Sequence, residues 1–235
     1  MMENYSTIKG FLPSSFIDWQ GCVCAVLFVG GCNFRCPYCH NHPLVLQHGS
    51  MGSFCFDDVL NRLAARRHWL GGICISGGEP TLAPGLSVFL RRLKHDGWAI
   101  KLDTNGTRPE ILTSLLAEKL VDSISMDVKA PLIQDKYEQC AGAPVDLKVI
   151  QSSIELIGAS GIDHEFRMTV LPRLHTRKDI EEWAELFSGK SRLTLQNFNP
   201  ATTLDPDFMD ENGFDPGEFT ALRGKILENR QQVAA

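Results

Sequence analysis

The sequence predicts a single α/β domain whose sheet is parallel, and three observations carry that expectation. Six short apolar runs alternate with stretches of helical periodicity, the pattern of successive βα units. The first run, Val23 to Val29, is continuously apolar rather than alternating, as a strand covered on both faces should be. Polar, Gly-rich phrases stand directly after the strands, at the edge where parallel α/β sheets build their sites. The 235 residues suit one domain with a full core, and the crossovers should be right-handed.

Residues 1–20 lack clear periodicity and read as a lead-in segment whose Phe11, Phe16 and Trp19 can pack on a core. The core proper spans residues 21–200. Its first strand, Val23 to Val29, delivers the Gly30-Gly31 turn, and residues 43–53 read as a Gly- and Ser-containing loop. From Asp57 a helix places Val59, Leu60, Leu63 and Ala64 on one face, with Arg62, Arg66 and Arg67 toward water. Strand Ile73 to Ile75 ends in Ser76-Gly77-Gly78-Glu79-Pro80. Helix Leu86 to His95 follows, with Gly97 placed to stop it. Strand Ala99 to Leu102 ends in Asp103-Thr104-Asn105-Gly106, and Pro109 suits the first turn of helix Glu110 to Leu120. Strand Ser123 to Met126 ends in Asp127-Val128-Lys129. A helix over Leu147 to Ile157, strand Phe166 to Val170, and a helix to Phe187 opened by a Thr176 and Asp179 capping box come next. The last strand is Leu193 to Phe198. Residues 201–235 form a C-terminal extension, an irregular acidic stretch followed by a helix over about residues 215–230.

Composition narrows the function. Hydrophobic residues are 43% and charged residues 22%, as in a folded globular chain. A net charge of -5 gives no general attraction to nucleic acid, so no nucleic-acid partner is expected. The N-terminus is polar and no apolar run approaches the length of a membrane span, so neither export nor a membrane is expected. Eight cysteines in such a chain point to a reducing cytoplasm and to metal or redox chemistry rather than disulfides.

Three of those cysteines crowd into Cys32-Asn33-Phe34-Arg35-Cys36-Pro37-Tyr38-Cys39, where Pro37 stiffens the loop. Their sulfurs can point at one centre. With His40 or His42 they would make a Cys3His zinc site. As three thiolates alone they would hold an iron-sulfur cubane and leave one iron open to a small molecule. The other phrases also have plain readings. Gly77-Gly78 can be a tight turn, Asp103 to Gly106 an Asx-type turn, and Asp127 with Lys129 an ion pair worth little. Cys24 and Cys74 lie in apolar strands and read as core residues; Cys22 and Cys55 flank the cysteine loop, and Cys140 stands alone.

The spacing Cys-x3-Cys-x2-Cys, with Tyr38 in the aromatic position before the third cysteine, resembles the signature of the radical S-adenosylmethionine (SAM) superfamily. Longer phrases are similar to the activating enzymes of glycyl radical proteins, in the form that serves anaerobic ribonucleoside-triphosphate reductase. They are Gly30 through Asn41, Ile75 through Thr81, Lys101 through Gly106, Met126 through Pro131, and Glu165-Phe166-Arg167 with Val170 and Pro172. The resemblance covers about residues 20–200. It implies a partial (β/α)6 barrel with a lateral opening and a 4Fe-4S cluster on Cys32, Cys36 and Cys39. It also implies SAM held by Tyr38, Gly77, Gly78, Glu79, Asp103, Asn105, Lys129 and Arg167. In that assignment Gly77, Gly78 and Glu79 take the amino group, Asp103 the ribose, and Lys129 and Arg167 the carboxylate. A monovalent cation would sit on Asp103, Thr104, Met126 and Asp127.

The implied reaction is reductive cleavage of SAM, with the electron from reduced flavodoxin or ferredoxin. The resulting 5'-deoxyadenosyl radical takes a hydrogen atom from a glycine of the partner enzyme. One departure stands out: where activating enzymes of pyruvate formate-lyase carry a histidine near the end of the sixth strand, this chain reads Leu195-Gln196-Asn197-Phe198-Asn199-Pro200. Three alternatives stay open: an activating enzyme for a pyruvate formate-lyase type partner, a small-molecule enzyme such as 7-carboxy-7-deazaguanine synthase, and a zinc-binding adaptor.

Overall fold

A computed structural model describes residues 7–187 and 191–233. Residues 1–6 of the expected lead-in, and residues 234–235 of the C-terminal extension, lie outside the described residues. Seven strands follow one another in sheet order: β1 (Ile8–Ser15), β2 (Cys24–Val29), β3 (Gly72–Gly77), β4 (Ala99–Thr104), β5 (Ser123–Asp127), β6 (Asp163–Val170) and β7 (Arg192–Asn197). The chain divides into two compact units. One comprises residues to Asn33 and Asn41–Ser125; the other comprises Phe34–His40 and Met126 onward.

In the first unit β2, β3 and β4 pair in parallel, with Val26 opposite Cys74 and Cys74 opposite Lys101. Ala25, Leu27, Ile73, Ile75, Ile100 and Leu102 are fully buried, which fits the unbroken apolar runs. Helices α2 (Phe56–Ala64), α3 (Leu86–His95) and α4 (Pro109–Ala117) bury Val59 and Leu63, Phe89 and Leu90, and Leu112 and Leu115. Cys24 and Cys74 are core residues, as expected, clustered with Val26 under Trp19, Cys22 and Phe28.

Two expectations change here. The lead-in contains a strand: β1 runs antiparallel to β2, with Phe11 opposite Leu27 and Ser15 opposite Cys24. Most of its side chains are half-buried, so the alternation that would reveal a strand is faint. Within the expected loop of residues 43–53, His42–Leu46 form a short helix, α1, with a proline in its first turn and Leu44 and Val45 buried.

In the second unit β6 and β7 pair in parallel from Glu165 opposite Arg192 to Val170 opposite Asn197. Four helices accompany them: α5 (Gln134–Ala141), α6 (Leu147–Ala159), α7 (Arg177–Glu185) and α8 (Pro216–Val233). Helix α5 escaped the sequence because it is a short, mostly polar segment whose apolar residues, Tyr137, Cys140 and Ala141, span little more than one turn. It buries Tyr137, Cys140 and Ala141 and ends at Gly142, whose φ of 63° suits glycine. Helix α7 opens on the expected capping box: Asp179 N–H donates to the Thr176 hydroxyl, and Thr176 N–H to the Asp179 carboxylate. Trp183 on α7 is fully buried beside Phe187 and donates its indole N–H to the Val128 carbonyl at 3.0 Å. Among the described residues no helix is long and apolar enough to cross a membrane.

The Trp183 bond fixes the backbone just after β5. Trp183→Phe removes the donor and leaves the Val128 carbonyl buried and unpaired, so urea unfolding should show a loss of about 1–3 kcal/mol.

Candidate active site

In the first unit the site grows from a crossing of two backbones. The Gly31 carbonyl accepts from Glu79 N–H at 2.8 Å, and the Val29 carbonyl from Gly78 N–H at 2.9 Å. A Cβ on Gly78 would lie 2.0 Å from the Gly31 oxygen, and one on Gly77, whose φ is 123°, would lie 2.4 Å from the Val29 backbone. Only glycines let the end of β3 lie against the turn that presents Cys32. Asn41 donates to the Gly77 carbonyl at 3.0 Å and ties down the far side of the cysteine loop.

Glu79 is held entirely by protein donors. Its carboxylate is fully buried and accepts four protein donors: the Thr81 amide at 3.0 Å, the Thr81 hydroxyl at 2.5 Å, the Thr104 hydroxyl at 2.8 Å and the Asn105 amide at 2.6 Å. Burial pushes its pKa up, and the four donors oppose that rise. The carboxylate pins the end of β3 to the end of β4.

Asn105 joins that tie to the cysteine loop. Its side-chain amide donates to Asn33 at 2.9 Å and reaches Cys32 Sγ at 3.9 Å, while its oxygen accepts from the Thr107 amide at 3.1 Å, an Asx turn. Asp103 is 8% exposed and bonds to Lys101 Nζ at 2.5 Å and the Ser76 hydroxyl at 3.1 Å. Lys101 is buried, and the sequence placed it at the head of a family phrase without giving it a role. Its alternation with Asp103 along a strand is the signal that could have found it.

In the second unit the cysteine loop is held by its own backbone. Arg35 N–H donates to the Ala141 carbonyl at 2.8 Å, Cys39 N–H to the Cys36 carbonyl at 3.0 Å, and Asp205 N–H to the Pro37 carbonyl at 2.9 Å. His40 Nε2 bonds to the Asn199 carbonyl at 2.6 Å while its ring stacks on Phe198, so this histidine clamps the loop. That use departs from the zinc-ligand reading of His40. All eight cysteines are thiols without disulfides, so the donor set suits a thiolate-ligated cluster.

Asp127 is the charge centre of this unit. It accepts from Arg167 Nε at 2.9 Å and Lys129 Nζ at 3.1 Å. Burial alone would raise its carboxyl, but Arg167 and Lys129 outweigh burial and hold it well below the usual carboxylate range. Burial would likewise lower Lys129, and the charges of Asp127 and Cys36 drive it up instead. Arg167 Nε is thus committed to an ion pair, the structural alternative to its role as a carboxylate anchor. The Lys129 carbonyl is fixed by His175 Nε2 at 2.9 Å. His175 Nδ1 accepts from Leu171 N–H at 3.4 Å, and burial lowers its pKa, so the ring is neutral with its proton on Nε2. His175 and Tyr137, a fully buried neighbour of Lys129, carried no sequence signal.

Comparison with known proteins gives the family. The Radical SAM superfamily model matches residues 26–187. A candidate glycyl-radical enzyme activating enzyme of Methanocaldococcus jannaschii is 33% identical over 208 residues, 86% of this chain and 83% of that protein. The pyruvate formate-lyase 1-activating enzyme of Escherichia coli is 31% identical over 136 residues, so the match spans 54% of each chain. The crystal structure of SuiB from Streptococcus suis superposes with a TM-score of 0.66 at 14% identity, over 86% of this chain and 45% of that one. At that identity the likeness is one of fold.

Two variants test the ties. Glu79→Gln turns an amide nitrogen toward donors and should lower stability by about 1–3 kcal/mol in urea titrations at pH 7. Asp127 has a folded pKa below its unfolded value of about 3.9, so its stabilisation is full above pH 4 and lost as pH falls through the folded pKa. Asp127→Asn should cost about 1–3 kcal/mol at pH 7, less than a fully buried pair because the side chain is 34% exposed. The loss should shrink when the same titrations are run near pH 2.

Proposed function

The chain belongs to the radical SAM superfamily, and we propose that within it the protein is an activating enzyme that installs a glycyl radical on a partner enzyme. What carries this reading is the 33% identity to a candidate activating enzyme over 86% of the chain, together with the Cys32, Cys36 and Cys39 loop. Superfamily membership implies a 4Fe-4S cluster and SAM. Once bound, they supply a 5'-deoxyadenosyl radical that removes a hydrogen atom from the partner's glycine.

The chain's own residues hold and orient. Cys32, Cys36 and Cys39 provide the three thiolates, and the backbone bonds with Ala141 and Asp205 and the Asn41 side-chain bond hold the loop that carries them. Lys129 gives one N–H to Asp127 and keeps further donors for the SAM carboxylate. Asp127 and His175 hold it in place. Tyr38, Gly77, Gly78 and Asn105 line the cofactor, and Glu79 acts through the strand ends it joins. Asp103 faces the ribose with Lys101 and Ser76 fixing its carboxylate. A monovalent cation is left out of this reading. Asp103 already pairs with Lys101, Asp127 with Arg167 and Lys129, and the Thr104 hydroxyl with Glu79.

For the partner, the phrase Met126 through Pro131 and the absence of a histidine near the end of β7 favour anaerobic ribonucleoside-triphosphate reductase over pyruvate formate-lyase. Reduced flavodoxin or ferredoxin is the proposed electron donor.

Anaerobic reconstitution with iron and sulfide, reduction by dithionite and addition of SAM should give 5'-deoxyadenosine. Cys36→Ala should abolish both the cluster and that product. With anaerobic ribonucleoside-triphosphate reductase present, electron paramagnetic resonance should show a glycyl radical, and the same mixture with pyruvate formate-lyase should show none. A colourless protein that retains zinc and cleaves nothing would overturn the reading. So would turnover of a pterin substrate without any protein partner.

A further inference from the structure

The bond from Asn105 to Glu79, at 2.6 Å, is made by the backbone amide, so that tie leaves the buried side chain for another purpose. The side chain closes a ring with two others. Asn105 Nδ2 donates to Asn33 Oδ1 at 2.9 Å, Asn33 Nδ2 to the Thr107 hydroxyl oxygen at 2.9 Å, and that hydroxyl to Asn105 Oδ1 at 2.7 Å. Each member gives one bond and receives one, so the bonds polarise one another in a single direction. Thr107 N–H also donates to Asn105 Oδ1, at 3.1 Å. A backbone N–H can only donate, which fixes the amide oxygen on the Thr107 side and the NH2 group on the other.

That NH2 group has two protons to place. One goes to Asn33, and Nδ2 also lies within hydrogen-bonding reach of Cys32 Sγ, at 3.9 Å. A plain Asx turn accounts for the bonds from Thr107 but not for this second contact. The length suits the present chemistry of the sulfur. A thiol is a weak acceptor, whereas bonds to a charged acceptor are shorter and roughly twice as strong. Asn33 follows Cys32 in the chain, so the ring that aims the donor also holds the backbone that carries the sulfur. Cys32, Asn33, Glu79, Asn105 and Thr107 all belong to the first unit.

We propose that Asn105 donates its second amide proton in a hydrogen bond to Cys32 Sγ when that sulfur ligates a cluster iron, and thereby raises the cluster's reduction potential. The proposal rests on the reading above in one respect, that Cys32 is a cluster ligand. Reduction adds negative charge, and a donor aimed at a ligating sulfur stabilises the reduced cluster more than the oxidised one. The ring supplies that donor already oriented, so nothing has to reorganise when the electron arrives. The proton stays on the amide. The only electron that moves comes from the external reductant.

The test compares the full chain with Asn105→Ala, which keeps the backbone amide that Glu79 accepts. After reconstitution, at equal iron and sulfide content and one fixed potential, the variant's ratio of reduced to oxidised cluster should be lower by about tenfold, the scale of one hydrogen bond to a charged group. In reduced wild type made with asparagine carrying heavy nitrogen in its side-chain amide, pulsed electron paramagnetic resonance should detect that nitrogen coupled to the cluster, and Asn105→Ala should lack the coupling. An unchanged or higher ratio at equal iron content would overturn the proposal. So would a coupling that survives in the variant, or a wild type without it, and the wild-type spectrum can be read even if the variant fails to fold. A wild type that takes up no iron would overturn the underlying reading as well, so the two failures are told apart by iron content.

Discussion

The buried carboxylate of Glu79 is the constraint on which the first unit depends. A charge removed from water is tolerated only when donors surround it, and here four do, drawn from Thr81, Thr104 and Asn105. Those donors sit at the ends of two neighbouring strands, so the need to satisfy one carboxylate locks the ends together. Asn105, held by its own backbone amide, then turns its side chain to Asn33 and Cys32. The position of the first cysteine therefore follows from a desolvation problem at the residue directly after a glycine pair.

The second unit solves a similar problem around Asp127. Two cations, Arg167 and Lys129, balance one carboxylate, and the chain between Asp127 and Lys129 is fixed atom by atom. Val128 N–H donates to the Arg167 carbonyl, Trp183 donates to the Val128 carbonyl, and His175 donates to the Lys129 carbonyl. Such bonding leaves the segment little freedom, which suits a lysine that must meet a ligand without paying ordering entropy at each binding event. A neutral histidine serves better here than a charged one, because its acceptor nitrogen takes the Leu171 amide.

Apolar periodicity and strand-end punctuation made six of the seven strands and most helices legible, because burial on both faces demands unbroken apolar runs. The elements that escaped carry weak hydrophobic signals for physical reasons. Strand β1 is half-buried along most of its length, α1 is a single turn, and α5 is polar in sequence although it buries Tyr137 and Cys140. The capping box at Thr176 was visible because its two residues lie three apart and bond to each other.

The sequence by itself determined the cysteine spacing, the glycine pair and the alternation of strands and helices, since these depend on local geometry and on which residue types can ligate, turn or pack. Only the tertiary structure decided what the polar residues do. Glu79 became a tie between strands, Lys101 the buried partner of Asp103, Arg167 an ion-pair partner and His40 a clamp, and His175 came to the Lys129 carbonyl from a position with no motif. Hydrogen bonds and charge balance are settled by distant partners brought together on folding, and a residue's neighbours in the chain do not specify them.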